Sequence, residues 1–415
     1  MISDGRGEVV RLDQSLRLAE PESRRCVFST TDISRRSDCN RNTSGEALLS
    51  ALDELDVYQV FADGGRPHAR MRTTRSTGGK HVFHALNRRT FAGAVAAATL
   101  AATWATGALA QATEVKIAYA LARDSHYGAA ADGWDKYVTE TSQGKFKFTH
   151  FPSSAQGGER EVIEGLQLGT GVQAVVVSSG ALSNFVPEIG VTDIPFLFRD
   201  LTHARAVLDG PIGEGILEKF RDRELIALAW GEQGFRHITN NRQPIEKPED
   251  LAGLKIRTME NPVHIAAFKT AGAAPTPMSW PEVIPALQQG AIDGQENPLS
   301  VIVSAKLWEV QKYLTVSGHV YSPAMLIVAP SFWESLSEDE QKIFADGALK
   351  GKEAMRAFVD ASEKNGVEKA KASGMQVNVL SDEQKAAFQK SIQSAYDGYY
   401  KTYTKDLVDQ IIATK

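Results

Sequence analysis

LAGLKIRTMENPVHIAAFKTAGAAPTPMSWPEVIPALQQGAIDGQENPL, residues 251–299, is the stretch on which the reading of this chain turns. It sets Arg257 at the end of a short apolar strand and Asn297 in a loop that follows another strand. Two helices and the proline-bracketed Trp280 lie between them. Strands alternating with helices in this way predict an α/β fold. In open sheets of that kind, strand-end side chains point into the crevice where ligands bind. A guanidinium there offers a planar fork of donors matched to a carboxylate. The stretch reads as equipment for holding a small organic anion.

The same alternation runs outward in both directions. Residues 115–119 and 146–151 alternate apolar and polar, as half-buried strands do. Between them, 128–141 has helical spacing, with Ala131, Trp134 and Val138 on one face. A helix over 159–168 ends at Gly169, and 172–177 is a continuous apolar run of the kind buried in a parallel sheet. Further strand-type runs cover 225–230, 254–257 and 325–329. Late in the chain the pattern turns helical. Ser337-Glu338-Asp339-Glu340 is a capping box opening a long helix to about Ser373, stopped by Gly374. Ser381-Asp382-Glu383-Gln384 opens a terminal helix in the same way. The expected class is α/β with mainly parallel sheets. After residue 112 there is no repeat, low-complexity tract or flexible linker, which predicts one compact unit or two lobes joined by several crossings.

The N-terminal quarter is a different polymer. Residues 1–110 hold 15 of the 46 basic and 12 of the 51 acidic residues, leaving 31 and 39 for 111–415, a formal charge of −8. That acidic balance argues against a nucleic-acid partner, which needs a basic face. Both cysteines, Cys26 and Cys39, fall in this quarter, so the body carries no disulfide, thiol nucleophile or cysteine-ligated metal. Arg88 and Arg89 precede an alanine- and threonine-rich run from Phe91 to Ala110, and Ala108-Leu109-Ala110 supplies small residues for a signal peptidase. The expectation is a removed export signal over 71–110, ending near Ala110, with translation starting at Met71. Residues 1–70 would then be a mis-assigned or disordered extension. Asn87-Arg88-Arg89-Thr90-Phe91 also resembles a twin-arginine motif, although an ordinary secretory signal fits equally well.

Enzyme signatures are missing. There is no G-x-S-x-G elbow, Walker-type loop, H-E-x-x-H or Cys/His metal spacing, and the histidines of the body are scattered singly. The arginines stand out instead. Gly234-Phe235-Arg236-His237-Ile238-Thr239 and Lys255-Ile256-Arg257-Thr258 each set an arginine at the edge of an apolar segment, where pattern alone fits a surface ion pair just as well.

Lys255-Ile256-Arg257, Pro275-Thr276-Pro277-Met278-Ser279-Trp280, Ala286-Leu287-Gln288 and Asp293-Gly294-Gln295-Glu296-Asn297-Pro298 occur in a specific order and spacing. Together they closely resemble the TRAP-transporter solute-binding proteins, receptors of the family named for C4-dicarboxylate uptake. The resemblance extends to Phe151-Pro152-Ser153-Ser154 early and Glu309-Val310-Gln311-Lys312-Tyr313 late. It implies a two-lobed, type II-like periplasmic binding protein with hinge strands and a long C-terminal helix crossing the lobes. Lobe I would cover about 113–233 plus 322–360, and lobe II about 234–321 plus 361–415. It implies a periplasmic receptor with no cofactor, metal or catalytic residue, and a monomer is the default expectation where the sequence is silent on oligomeric state. Such a receptor passes a small organic acid to the small and large membrane subunits of an ion-gradient-driven permease. The alternatives are a receptor feeding a sensor kinase and a secreted enzyme on the same scaffold.

Carried over residue by residue, the resemblance makes Arg257 the partner of the substrate carboxylate, Arg236 a second binding arginine and Asn297 a hydrogen-bonding neighbour. Trp280 stands where many relatives have phenylalanine, which predicts a trimmed pocket suited to a compact or planar acid. Glu159 lies where relatives often place an acid. Ser178, Ser179, His126 and Tyr127 fall in pocket-facing regions whose residues vary. Sialic-acid-binding members carry a glutamate at what corresponds to Val177, so sialic acid is not expected. C4-dicarboxylates, 2-oxo acids, hexuronates and aromatic acids stay open.

Overall fold

The computed structural model describes residues 111–415; the expected extension and export signal, 1–70 and 71–110, lie outside the described residues. In chain order the strands are β1 (Thr113–Tyr119), β2 (Phe146–Phe151), β3 (Ala174–Ser178), β4 (Ile226–Asn240), β5 (Lys255–Thr258), β6 (Ala274–Pro277), β7 (Gly294–Pro298), β8 (Tyr313–Val328) and β9 (Gln376–Val379). They join edge to edge in the order β2-β1-β3-β8-β4-β7-β5-β6, with β9 paired to β8.

The long strands β4 and β8 pair antiparallel along their whole lengths and serve two half-sheets. At one end β8 also pairs with β3, which leads to β1 and β2. At the other end β4 pairs with β7, which leads to β5 and β6. These are the hinge strands of a two-lobed α/β fold. The sheet is therefore mixed rather than mainly parallel. It is parallel toward the edges, where helical crossovers connect strands, and antiparallel at the centre.

Apolar-run reading found only residues 225–230 of β4 and 325–329 of β8. The reason is chemical: Glu232, Gln233, Arg236 and His237 of β4 are all buried yet polar. The register slips between Glu232 and Gly234. Gly234 has φ +104°, a backbone conformation that favours glycine.

Five helices matter for the site: α1 (His126–Thr141), α2 (Glu159–Gln167), α3 (Pro262–Thr270), α4 (Trp280–Gln288) and α5 (Glu338–Ala372). The start and stop of α5 match its sequence. Ser337 and Glu340 form the capping box, acids fill the first turn, Lys369 and Lys371 the last, and Gly374 follows at φ +97°. At 35 residues it spans roughly 50 Å. It begins against α1, where a Cβ on Gly351 would sit 2.7 Å from the Ala130 carbonyl oxygen. It ends in the second lobe, where Gly366 meets Leu299 and Ala370 joins a cluster with Leu314.

One face of the first half-sheet buries Trp134, Phe146, Phe344 and Met355. The second lobe is built on Ile238, Leu251, Ile256, Phe268 and Phe388. The C-terminal helices divide between the two. Phe388 belongs to that second core, whereas Ile392, Tyr396, Tyr399, Val408 and Ile411 pack in the cluster that holds Val175 and Leu182. After residue 391 this aromatic face packs on both sides, since the same cluster holds Val263 and Ala267 of α3 and Tyr399 Oη donates to the Val263 carbonyl oxygen at 2.9 Å.

Candidate functional site

A cleft lies between the half-sheets, with Leu121, Tyr127, Glu159 and Ser178 on one side and Arg257, Met259, Trp280 and Asn297 on the other. Trp280, the first residue of α4, also borders the two recesses that flank this cleft and packs against apolar clusters of both lobes. Ser279 and Glu282 form the capping box that starts α4 and thereby aims the indole. The amphipathic ring makes a wall shared by both lobes.

Arg257 sits near the C-terminal end of β5 and is 3% exposed. Its Nε and Nη2 donate to the Met278 carbonyl oxygen at 3.0 and 2.7 Å, and its guanidinium lies 5.9 Å from the Trp280 ring. Among the described residues, no carboxylate forms an ion pair with it. Burial, aided by repulsion from Arg236, pulls its pKa down to about 10 against the attraction of Glu296, Glu159 and Glu260. A desolvated guanidinium with donors to spare is a site for an anion. Asn297 lies inside β7, not in the expected loop, and its Nδ2 donates to Gln295 Oε1 at 2.5 Å.

The opposite wall holds an acid. Glu159 opens α2, and its carboxylate accepts from Tyr127 Oη (3.1 Å), Ser178 N (2.6 Å) and Ser178 Oγ (2.7 Å). Burial raises the Glu159 pKa, while the bonds from Ser178 and Tyr127 and the charge of Arg257 oppose that rise. Burial likewise pushes the Tyr127 hydroxyl well above its ordinary value.

Three expected residues are elsewhere. Arg236 is fully buried and is not on the cleft wall; its Nε and Nη2 hold Glu296 Oε2 and Oε1 at 2.5 and 2.7 Å, and Nη2 also donates to the Glu296 backbone oxygen at 2.6 Å. Burial alone would raise the Glu296 carboxyl, but Arg236 and His319 hold it well below the usual carboxylate range. Ser179 turns away to donate to Asp193 Oδ1 at 2.8 Å. His126 packs 6.1 Å from the Phe358 ring, and burial drives its pKa down to about 3. The sequence reading missed Met259, Gln233, Leu121 and Val301, all of which line the cleft. Gln233 carried a faint signal as a polar residue within a strand-like segment. The other three carried none.

Two further features bound the chemistry. An apolar recess around Ile238, Leu251, Phe268 and Phe388 has only Ser317 and His319 as side-chain polar groups, so it offers an anion no cation. Among the described residues, no group of three or more His, Cys, Asp or Glu side chains is placed to hold a metal ion.

Residues 117–403 match the model of the bacterial extracellular solute-binding proteins, family 7. The chain belongs to that family. A solute-binding protein of Verminephrobacter eiseniae is 46% identical over 299 residues, covering 72% of this chain and 88% of that one. A TRAP periplasmic solute-binding protein of Bordetella bronchispeptica, with density interpreted as pantoate, is 55% identical at a TM-score of 0.71, covering 73% of this chain and 99% of its own. Another from Polaromonas, bound to D-erythronate, is 49% identical with the same TM-score and coverage. Family 7 members are periplasmic receptors of small organic acids, and these neighbours are binding proteins rather than enzymes. Among the described residues no helix is long and apolar enough to cross a membrane.

Proposed function

We propose that this protein captures a small organic acid in the periplasm, holds its carboxylate between Arg257 and Asn297, and delivers it to the membrane subunits of a TRAP permease. The observation that carries the reading is Arg257, a guanidinium buried in a cleft without a carboxylate partner. A charge-assisted hydrogen bond contributes about 1.5–3 kcal/mol. Two from Arg257 and one from Asn297 would therefore supply much of the roughly 8 kcal/mol of micromolar binding. They do so only when water is excluded, which a hinged pair of lobes achieves. Open, the guanidinium is hydrated; closed around an anion, it is paired.

In this reading β4 and β8 bend near Gly234, where the register slips. Lobe I takes about 113–233 and 322–360. Lobe II takes the remainder, with the helices after residue 391 packed on both. Arg236 acts beneath the cleft by fixing Glu296 rather than by touching ligand. Tyr127, Glu159 and Ser178 form the wall opposite the carboxylate. The acids in the Bordetella and Polaromonas relatives, both hydroxy monocarboxylates, support a compact ligand. Export by a signal ending near Ala110 completes the proposal, and mass spectrometry of the mature N-terminus checks it.

Isothermal titration of the purified protein with a library of organic acids, repeated on Arg257→Ala, tests the function. Saturable binding lost in the variant is expected. Near-normal affinity in a folded Arg257→Ala protein removes the assignment.

A further inference from the structure

The charges around the cleft balance in a way that selects among acids. Arg257 and Glu159 are the two charged side chains that line it. Arg236 supplies no second cation, because Glu296 already engages it with both carboxylate oxygens. The flanking recess adds Arg160 and Glu260, again one of each sign, and Arg160 is bonded to Glu164 at 3.0 Å. A ligand with one carboxylate brings the cleft to a single net negative charge, with Arg257 matched. A ligand with two leaves the second carboxylate without a cation, facing the wall that carries Glu159.

Glu159 also specifies what it does accept. An ionised carboxylate has about four acceptor positions. Tyr127 Oη and Ser178 N fill two on Oε1, and Ser178 Oγ fills one on Oε2. One position on Oε2 is left, and a ligand O–H fits it as donor. Tyr127 and Ser178 hold the carboxylate in place for that contact.

We propose that Glu159 is a specificity-determining residue: it makes this receptor select monocarboxylates bearing a hydroxyl distal to the carboxylate and reject dicarboxylates of the same length. The inference rests on the reading of Arg257 as the carboxylate partner. Like charges brought together in a closed site cost far more than a mismatched neutral group. A polar site also rejects a ligand lacking its hydrogen-bonding partner more strongly than an apolar site rejects a missing methylene.

The test compares three acids that share one four-carbon skeleton. D-erythronate ends in CH2OH, meso-tartrate carries a second carboxylate there, and 2,3-dihydroxybutanoate of the same configuration ends in a methyl group. Titration calorimetry on the wild-type protein at pH 7.5 should rank them erythronate, dihydroxybutanoate, tartrate, with tartrate weaker than erythronate by at least about 100-fold. Glu159→Gln should narrow the erythronate–tartrate gap to under about tenfold, mainly through tighter tartrate binding.

Equal wild-type affinity for erythronate and tartrate overturns the proposal without needing any variant to fold. So does an unchanged gap in a Glu159→Gln protein whose melting curve is native-like. Arg257→Ala separates the two levels of argument. If binding of the two acids is equal and still lost in Arg257→Ala, only the selectivity fails. If none of the three acids binds, the selectivity proposal fails while the carboxylate reading still rests on the acid library; if Arg257→Ala binds erythronate normally, the carboxylate reading fails and takes this inference with it.

Discussion

Two arginines of this protein are buried almost equally, Arg236 at 0% and Arg257 at 3% exposure, and they do opposite things. Arg236, in the hinge strand β4, is clamped to Glu296 of the neighbouring β7, and His319 closes on the same carboxylate at 3.3 Å. Arg257, near the end of β5, has only a backbone carbonyl oxygen and an indole face. Burying a charge is tolerable when a partner is buried with it, and costly otherwise. The hinge core carries its counter-charge within the chain. The cleft leaves that role to a ligand. A lone buried cation therefore marks function more surely than a buried cation as such.

The largest expected effect would break the hinge side of the contrast. Arg236→Met leaves Glu296 buried without its guanidinium partner, and should lower the unfolding free energy by about 3–5 kcal/mol. Chemical denaturation measures it, and Arg236→Met combined with Glu296→Leu should recover most of the loss. A single variant as stable as wild type would mean that the ion pair is not what anchors this layer.

On the cleft side the consequence moves from stability to binding. Arg257→Ala should weaken acid binding by at least about 100-fold, the equivalent of roughly 2.7 kcal/mol, while the empty protein melts no lower than wild type. Arg257→Lys should also bind poorly, because one ammonium does not replace a two-pronged fork. A large fall in melting temperature for Arg257→Ala would erase the distinction between the two arginines.

Titration sharpens the contrast, since the groups around Arg236 include His264, His237 and Asp193. Burial lowers His126, His237 and His264 to about 3, so each contributes stability that is present above pH 6.5 and lost as the pH falls toward 3. Burial raises Asp193 and Glu363 to about 7, so their contribution is present at acid pH and lost as the pH rises toward 7. Between about pH 4.5 and 6.5 the three histidines prevail over the two acids by one proton, the lowered His150 and the raised Glu159 act in opposite directions, and stability should climb by roughly 1.4 kcal/mol per pH unit. Above pH 6.5 the raised acids prevail, and it should decline slightly. Urea midpoints measured across this range give the sign directly, and a monotonic fall from pH 4.5 would contradict it.

The smallest change probes the wall between the lobes. Trp280→Ala removes the ring beside Arg257 and should weaken binding about tenfold, whereas Trp280→Phe should stay within about threefold. Surface-plasmon or calorimetric affinities on both variants decide it, and an unchanged Kd for Trp280→Ala would show that the indole is packing alone.

Much of this was legible before any coordinates. The capping boxes at Ser337 and Ser381, the stop at Gly374 and the apolar strand ending at Ser178 are local signals, and the structure places the elements where those signals put them. The middle of β4 was not legible. Its Glu232, Gln233, Arg236 and His237 are polar residues that lie inside because distant partners satisfy them, and no local pattern announces such partners. The same blindness placed Asn297 in a loop and assigned Ser179 and His126 to the cleft, since neighbouring positions on a strand or helix face in different directions.

The sequence by itself determined the order and type of most elements, the family, and the pairing of an arginine with an asparagine as candidates for holding a carboxylate. These follow from short-range periodicity and from motifs that survive without knowledge of contacts. Tertiary structure alone decided which arginine is free. Arg236 meets Glu296 across 60 residues because the register of β4 against β7 brings them together, and that register belongs to the whole sheet. Arg257 is left without a carboxylate for the same reason, since charge neutralisation in a protein interior depends on what lies within a few ångströms in space.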